Sequence, residues 1–504
     1  MKYVIIQAGG RGSRLETLTI NKPKCLVPIE NKPLIFHLFE KFQDKKFIII
    51  CDYKADILDK YLKTFADSVD YQLVQASKKG GGTCSGIQAA LKLIPQDESF
   101  ALVWCDLLFA KNTEIPKRIE QNLVALSKSF ECRWSFIDGK FVKVPSKENG
   151  VAGLFLIKSP KEIAGISEEG EFVLWLQNNE IPFDSFDLSH TREIGTMLSY
   201  NDNDSKEAKC RPFNKMVFGQ DRVTKIPVNE YGKSIMVDEL NWYRKVTDLG
   251  FTDVPKIFSF EPFVMEKIDG KNVFEYKNFT LSQKKEILRK IISKITHLHQ
   301  LAPEIDANYA DCLDNYVSKT FDRIAKIKNL VPFADQEFVT INGKKCKNIF
   351  HLAEKFSDLV KKYFPTEFHL IHGDPTFSNI MIRNEEVDPV LIDPRGYFGS
   401  SKFYGDKDYD WAKLYYSIVG NYDQFNRKNF TLEITENEVL LRVDSNDWED
   451  VEEEFFNATK ADKVKIKILH SLIWLSLTTY AWEDYDSVCA AFYKGLLYLN
   501  ELDL

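Results

Sequence analysis

Short apolar runs alternate with helix-spaced segments over the first 200 residues. Val4 to Ile6, "KFIII" (46–50) and "FALVWC" (100–105) are nearly continuous apolar stretches, the pattern of strands buried on both faces. Between them "GIQAALKLI" (86–94) repeats its apolar residues at helical spacing. This alternation predicts an α/β fold, a doubly wound, Rossmann-like and mostly parallel sheet with helices on both faces. The polar run "NDNDSKEAK" (201–209) breaks the pattern and reads as a linker. After it, "KMVFGQDRVTKIPV" predicts a hairpin turning at Gly219-Gln220-Asp221. From about residue 280 long helical segments dominate, interrupted by a strand at "VLIDP" (390–394).

Length and composition narrow the picture. A chain of 504 residues is too long for one core, and 44% hydrophobic with 28% charged residues is the make-up of a globular protein. No apolar run is long enough to cross a bilayer. The first residues hold one lysine, a very short apolar run and then Arg-Gly sequence, so no secretion signal is expected there. A net charge of −7 counts against a general nucleic-acid binder. The nine cysteines are scattered, with no Cys-x-x-Cys pair and no His cluster at zinc spacing, so reduced thiols in the cytoplasm are expected. There is no internal repeat, and in particular no hexapeptide array. The expected partners are small molecules, with neither nucleic acid nor membrane among them; the oligomeric state is left open.

The opening stretch "VIIQAGGRGSRL" (4–15) runs an apolar strand into Gly9, Gly10 and Gly12, interleaved with Arg11 and Arg14. Glycines let backbone N–H groups approach anionic oxygens, and arginines add forked donors, so the loop suits a phosphate cradle. Taken alone, it fits an ordinary strand-to-helix turn equally well. The third glycine of a dinucleotide fingerprint is missing, as is the Gly-Lys-Ser/Thr ending of a P-loop.

"QAGGRGSRL" followed by "KPKCLVPI" and "NKPL" resembles the signature of the sugar-phosphate and phosphocholine nucleotidyltransferases, over roughly the first 200 residues. "GGGTCSGIQAAL" (80–91) resembles that family's Gly-Thr turn beside the nucleotide base. "VWCDLLF" (103–109) resembles its strand ending in a magnesium-binding aspartate, and "GVAGLFLIK" (150–158) its strand at the substrate pocket. "REIGTMLSY" (192–200) resembles its closing motif, with Glu193 where aspartate is usual. The resemblance implies Arg14 and Lys24 as catalytic cations. It implies Gly9, Gly10, Arg11, Gly12, Gly82 and Thr83 as nucleotide-binding residues, and Asp106 with Glu193 as ligands of Mg²⁺. The residue types suit the chemistry: two anions must meet, so cations and a divalent metal have to screen their charge.

"HLIHGDPTFSNIMI" (369–382) and "VLIDPRG" (390–396) resemble, as an ordered pair, the catalytic and metal loops of the aminoglycoside phosphotransferase and choline kinase family. That resemblance covers about residues 210–500. It implies a bilobal, protein-kinase-like (α+β) domain, with a small lobe over about 210–270 and a large lobe over about 271–504. Asp374 is then the base for the attacking hydroxyl, and Asn379 and Asp393 hold Mg²⁺ on ATP. Lys225 is the partner of the α/β-phosphates, Glu239 its counter-ion, and "FVMEKIDG" (263–270) the hinge beside adenine. "PTF" after His-Gly-Asp and Pro394-Arg395-Gly396 after Asp393 depart from the wording usual in choline kinases. Asp408 and Asp410 read as capping or structural residues, His297 and His299 as packing residues, and 481–498 as a packed helix face.

The expected division is therefore a nucleotidyltransferase domain over 1–203 and a kinase-like domain over 210–504. Together they predict a bifunctional enzyme. It phosphorylates a small alcohol (choline, ethanolamine or polyol-like) with ATP. It then couples the phosphate to a nucleotide, from CTP, for surface polysaccharide. Two alternatives stay open: a sugar kinase joined to a sugar-1-phosphate nucleotidyltransferase, or a monofunctional transferase with a regulatory kinase-like module.

Overall fold

The computed structural model describes residues 1–76, 81–203, 214–384 and 387–502. Most of the expected linker and the boundary at 210 lie outside the described residues, as does Gly80. The part of the linker that is described is helical. Met197–Asn203 forms a helix whose start is held by Thr196 and Ser199, with Ser199 N–H donating to Thr196 Oγ1 at 3.1 Å. Asn203 Nδ2 donates back to Ser199 O at 2.7 Å. Polar composition alone suggested a loop; side chains that bond to the local backbone allow a helix end instead. The chain forms two compact units, Met1–Ser205 with Trp482–Asp486, and Lys206–Ala481 with Ser487–Leu504.

The first unit is built on a mixed sheet of nine strands. Its parallel half comprises β1 (Tyr3–Gln7), β2 (Lys46–Cys51), β3 (Tyr71–Gln75) and β4 (Phe100–Trp104), ordered β3-β2-β1-β4. Ile5 stands opposite both Ile48 and Leu102, so the centre of the sheet is apolar on both flanks. β5 (Leu123–Ser127) and β6 (Gly150–Ile157) continue it antiparallel, β6 lying beside β4. The expectation of a mostly parallel, doubly wound sheet is thus met in one half only. After β4 the chain returns through hairpins, one at Asp138-Gly139, where both residues have positive φ (48° and 76°). That turn chemistry favours antiparallel pairing and removes the need for a crossover helix. Because β1 and β4 are parallel neighbours with Gln7 opposite Trp104, the loops after both leave the same sheet end.

Lys22 is 1% exposed in this unit, with Nζ 3.0 Å from Asp484 and a second ion pair to Asp486. Asn21 Nδ2 donates to Asp486 at 3.0 Å. Burial opposes the Lys22 charge, but the two carboxylates outweigh it and hold the ammonium above its ordinary range. Removing one member of a buried ion pair leaves the other uncompensated. Lys22→Met is expected to destabilise this unit by about 3–5 kcal/mol. Denaturant melts of the intact chain check this, and an unchanged midpoint for the first unit contradicts it.

The second unit begins with a four-stranded antiparallel sheet ordered Asn214–Phe218, Arg222–Pro227, Phe263–Glu266, Ile257–Phe260. Gly219 N–H donates to Arg222 O at 2.8 Å across the first turn. The 19-residue helix Glu230–Asp248 follows the second strand, its start capped by Asn229 accepting from Gly232 N–H at 2.8 Å. Helices Leu281–Gln300, Lys407–Ile418 and Lys463–Leu477 carry much of the remainder. The strand expected at "VLIDP" is Asp388–Leu391, paired with Ile380–Arg383. The helical expectation beyond residue 280 omits a second four-stranded sheet, made by Phe338–Ile341, Lys344–Lys347, Phe430–Ile434 and Val439–Val443. Its first hairpin turns at Asn342-Gly343, both at positive φ (50° and 73°). That dipeptide is the sequence signal that periodicity alone passes over. The helix Tyr485–Leu499 buries Val488, Phe492, Tyr493 and Leu496, which fits a packed helix face.

Candidate active sites

In the first unit the loop after β1 turns at Gly12, whose φ is 68°. A Cβ there would lie 2.9 Å from the Cβ of Lys24, so glycine permits both the turn and the close approach of Lys24. Lys24 opens the one-turn segment Lys24–Leu26, anchored by Cys25 and Leu26, which are fully buried. Its ammonium forms a buried ion pair with Asp106 Oδ2. Burial pulls the Lys24 ammonium down, but the Asp106 charge reverses this and the net shift is upward. Asp106 follows the end of β4, and its other oxygen, Oδ1, is buried without a hydrogen-bond partner.

Glu193 reaches the same place by strand pairing. Arg192–Glu193 pairs antiparallel with Leu107–Leu108, and Ile194 N–H donates to Asp106 O at 2.9 Å. Burial and then the neighbouring Asp106 charge push the Glu193 carboxyl upward, against the pull of Lys24 and Arg14. Arg14 stands at the rim, 66% exposed, with Nη2 3.9 Å from Glu193 Oε1. The structure therefore brings Arg14, Lys24, Asp106 and Glu193 together.

Other residues named from the sequence stand differently. Arg11 lies over the Tyr53 ring at 5.6 Å, and a Cβ at Gly10 would meet nothing within 4 Å. A Cβ at Gly9 would touch Asp52 at 3.3 Å. Gly82 has φ 80° and abuts the Gly170 carbonyl, where a Cβ would lie 2.5 Å away. The Thr83 hydroxyl accepts from Phe172 N–H at 2.7 Å, so it ties helix Thr83–Leu91 to helix Phe172–Asn178.

A buried carboxylate with an unpartnered oxygen, Asp106, beside the half-buried carboxylate of Glu193 fits a hard divalent cation. Among the described residues no group of three or more His, Cys, Asp or Glu side chains converges, so phosphate oxygens and water would complete such a shell.

In the second unit Lys225, on strand Arg222–Pro227, and Glu239, on helix Glu230–Asp248, are 6% and 3% exposed. Lys225 Nζ lies 2.7 and 2.9 Å from the Glu239 oxygens and 2.7 Å from Asp393 Oδ1. Burial opposes the Lys225 charge, yet Asp393 and Glu239 raise the ammonium above its ordinary range. Asn379 Nδ2 donates to Asp374 O at 2.8 Å and to Asp374 Oδ2 at 3.1 Å. Ile392 N–H donates to Asn379 O at 2.9 Å, which sets Asp393 beside the same loop. The five residues thus form two small groups joined through Asp393.

The loop carrying Asp374 hangs on Asp410, which is fully buried. Its oxygens accept from His372 N–H at 2.9 Å and Gly373 N–H at 2.7 Å, and His299 Nε2 lies 3.0 Å away. Asp410 and His299 are therefore structural, as read from the sequence, but they support the loop directly. Asp408 pairs with Lys465 at 2.7 Å, and His297 lies 3.7 Å from Asp253. Sequence reasoning missed Lys413, whose Nζ is 3.0 Å from Asp374 Oδ1. Its signal was a lysine inside the apolar run "WAKLYYS" of helix Lys407–Ile418. Glu266, in the expected hinge, is bound by Arg383 at 2.6 and 3.1 Å, which lowers its carboxyl pKa.

Residues 4–124 match the MobA-like NTP transferase domain family. Glucose-1-phosphate cytidylyltransferase of Salmonella typhimurium is 41% identical over 68 residues, 13% of this chain and 26% of that protein. UTP–glucose-1-phosphate uridylyltransferase of Haloferax volcanii is 29% identical over 113 residues, 21% of this chain and 44% of that protein. This chain therefore spans less than half the length of these curated relatives. Among solved structures, the CTP:phosphocholine cytidylyltransferase of Streptococcus pneumoniae overlaps 40% of this chain and 97% of its own, at 18% identity and a TM-score of 0.34. No helix among the described residues is long and apolar enough to cross a membrane.

Proposed function

We propose that the first unit transfers a nucleotidyl group to a phosphorylated small molecule and that the second makes that phosphate ester from ATP. The observation that carries the first half is the meeting of Arg14, Lys24, Asp106 and Glu193, the first three of which lie inside residues 4–124 that match an NTP transferase family. A phosphate oxygen of the substrate attacks the α-phosphorus of the nucleotide, the bond to the β-phosphate breaks, and pyrophosphate leaves. Lys24 and Arg14 supply positive charge to the crowded phosphates, and the Gly12 turn keeps Lys24 beside the loop N–H groups. Asp106 and Glu193 would hold Mg²⁺, which screens phosphate charge and orients the triphosphate when bound.

The second half rests on the Lys225–Glu239–Asp393 ion-pair group and on Asp374 with Asn379. Lys225 orients the ATP phosphates, and Asp374 takes the proton of the substrate hydroxyl as its oxygen attacks the γ-phosphorus and ADP leaves. Asn379 and Asp393 would hold Mg²⁺ there. The regulatory-module alternative has less support, because a binding module needs no base, amide and carboxylate held in this arrangement. The alternative that the product is a nucleoside-diphosphate sugar draws on the sugar-1-phosphate substrates named for the curated relatives. The reading is tested by incubating the protein with ATP, each of the four nucleoside triphosphates and a panel of alcohols and sugars. Mass spectrometry then identifies the products.

Two expectations follow from the metal ligands. Chelation should stop both steps and Mg²⁺ should restore them; either step running at full rate in excess EDTA contradicts the assignment for that unit. Gly195→Ala places a Cβ 1.9 Å from Glu193 Oε1, so the carboxylate must move. Displacing a ligand's support costs about 10–100-fold in metal affinity or activity. The Mg²⁺ titration of nucleotidyl transfer should shift accordingly, and an unshifted curve in the folded variant removes Glu193 from the metal.

A further inference from the structure

Resting on the kinase reading of the second unit, we infer that its acceptor alcohol is an anion, carrying a carboxylate or phosphate that Arg395 and Lys413 bind beside Asp374. Arg395 lies against the catalytic loop: a Cβ at Gly373 would sit 3.0 Å from the Cβ of Arg395. Its own N–H donates to His372 O at 2.9 Å. The guanidinium lies 4.4 Å over the Tyr397 ring and 3.3 Å from the Tyr409 hydroxyl. Lys413 Nζ, 3.0 Å from Asp374, is 5.7 Å from the centroid of that same Tyr409 ring and 5.6 Å from Tyr416. One tyrosine therefore links the two cations, and both adjoin the loop of the proposed base.

An arginine and a lysine on the neighbouring helix add to the field, the lysine only in its protonated form. Arg323 lies 4.2 Å over Tyr480 and donates to Ser476 O at 2.9 Å and Ser476 Oγ at 2.6 Å. Lys319 starts the same helix, Lys319–Ile327. Burial first, then the charges of Arg395, Arg323 and Lys413, bring its ammonium down to about 7, against the opposing pull of Asp314. Among the described residues none of Lys319, Arg323 and Arg395 lies within ion-pair distance of a carboxylate, and the carboxylate that Lys413 contacts is Asp374 itself. A quaternary or primary ammonium placed next to Asp374 would face this group of like charges. A carboxylate or phosphate would be attracted, and the planar fork of Arg395 suits either one.

The test uses the intact protein with saturating ATP and four acceptors: D-glycerate, glycerol 3-phosphate, glycerol and choline. ADP formation and calorimetric binding are read separately. One anionic acceptor should be used with a kcat/KM at least about 100-fold above glycerol and choline, and the carboxylate and phosphate arms identify which anion. Arg395→Gln should raise KM for that acceptor at least about tenfold while the KM for ATP stays within about twofold. Lys319→Met should act in the same direction and guards against misfolding of the Arg395 variant. Preference for glycerol or choline, or unchanged acceptor KM in both variants, overturns the inference and leaves the kinase reading standing. Anion binding lost in Arg395→Gln, with no ADP from any acceptor, upholds the anion site and removes the kinase reading. Neither binding nor turnover of an anion overturns the inference.

Discussion

Lys24→Ala is expected to lower nucleotidyl transfer by about 10²–10³-fold and to leave the proposed ATP-dependent phosphorylation of an alcohol at its wild-type rate. The expectation follows from position: the Lys24 ammonium is buried, paired with Asp106, and held in its charged form. A preorganised charge at a phosphoryl centre in a dry site is worth about 2–4 kcal/mol to the transition state. Arg14→Ala should cost less, because its guanidinium is largely exposed and solvent screens it. The Lys24 variant also leaves Asp106 without its paired cation, so circular dichroism and a thermal melt accompany the rates. Equal loss of both activities in a folded variant would contradict two separate sites.

Asp374→Asn should abolish phosphorylation of the free alcohol, by about 10²–10⁴-fold, yet leave a supplied phospho-alcohol fully convertible to its nucleotide derivative. The amide keeps much of the shape and can still accept from Asn379 Nδ2, which lies 3.1 Å from Asp374 Oδ2. What it loses is the ability to take the hydroxyl proton. The side chain is also held by Lys413 at 3.0 Å, so the carboxylate is positioned before substrate arrives. A variant that phosphorylates the alcohol at the wild-type rate would remove Asp374 from the chemistry. Loss of nucleotidyl transfer from the supplied phospho-alcohol would instead place Asp374 in the first unit's reaction.

The chain's order of apolar runs determined three of the four parallel strands of the first sheet, β1, β2 and β4, and the hairpin at Gly219; β3 has no continuous apolar run and is not legible this way. Strands buried on both faces must be apolar throughout, and tight turns need particular residues. The same local rules carried the glycine loop, since only glycine fits both the positive φ at Gly12 and the approach of Lys24. The hairpins at Asp138-Gly139 and Asn342-Gly343 were equally legible in principle, but helical periodicity elsewhere hid them. What the sequence could not determine is which charges meet. Glu193 stands 87 positions after Asp106, and a two-residue strand pairing brings them together. The Thr83 hydroxyl accepts from Phe172 N–H, 89 positions away, a partner that no local pattern names. Lys413 and Arg395 looked like a helix lysine and a loop arginine until folding set both around Tyr409, beside Asp374. Local sequence dictates backbone conformation through short-range sterics and burial. The sign of the charge around a reacting group is a sum over residues far apart in the chain, and only the tertiary structure performs that sum.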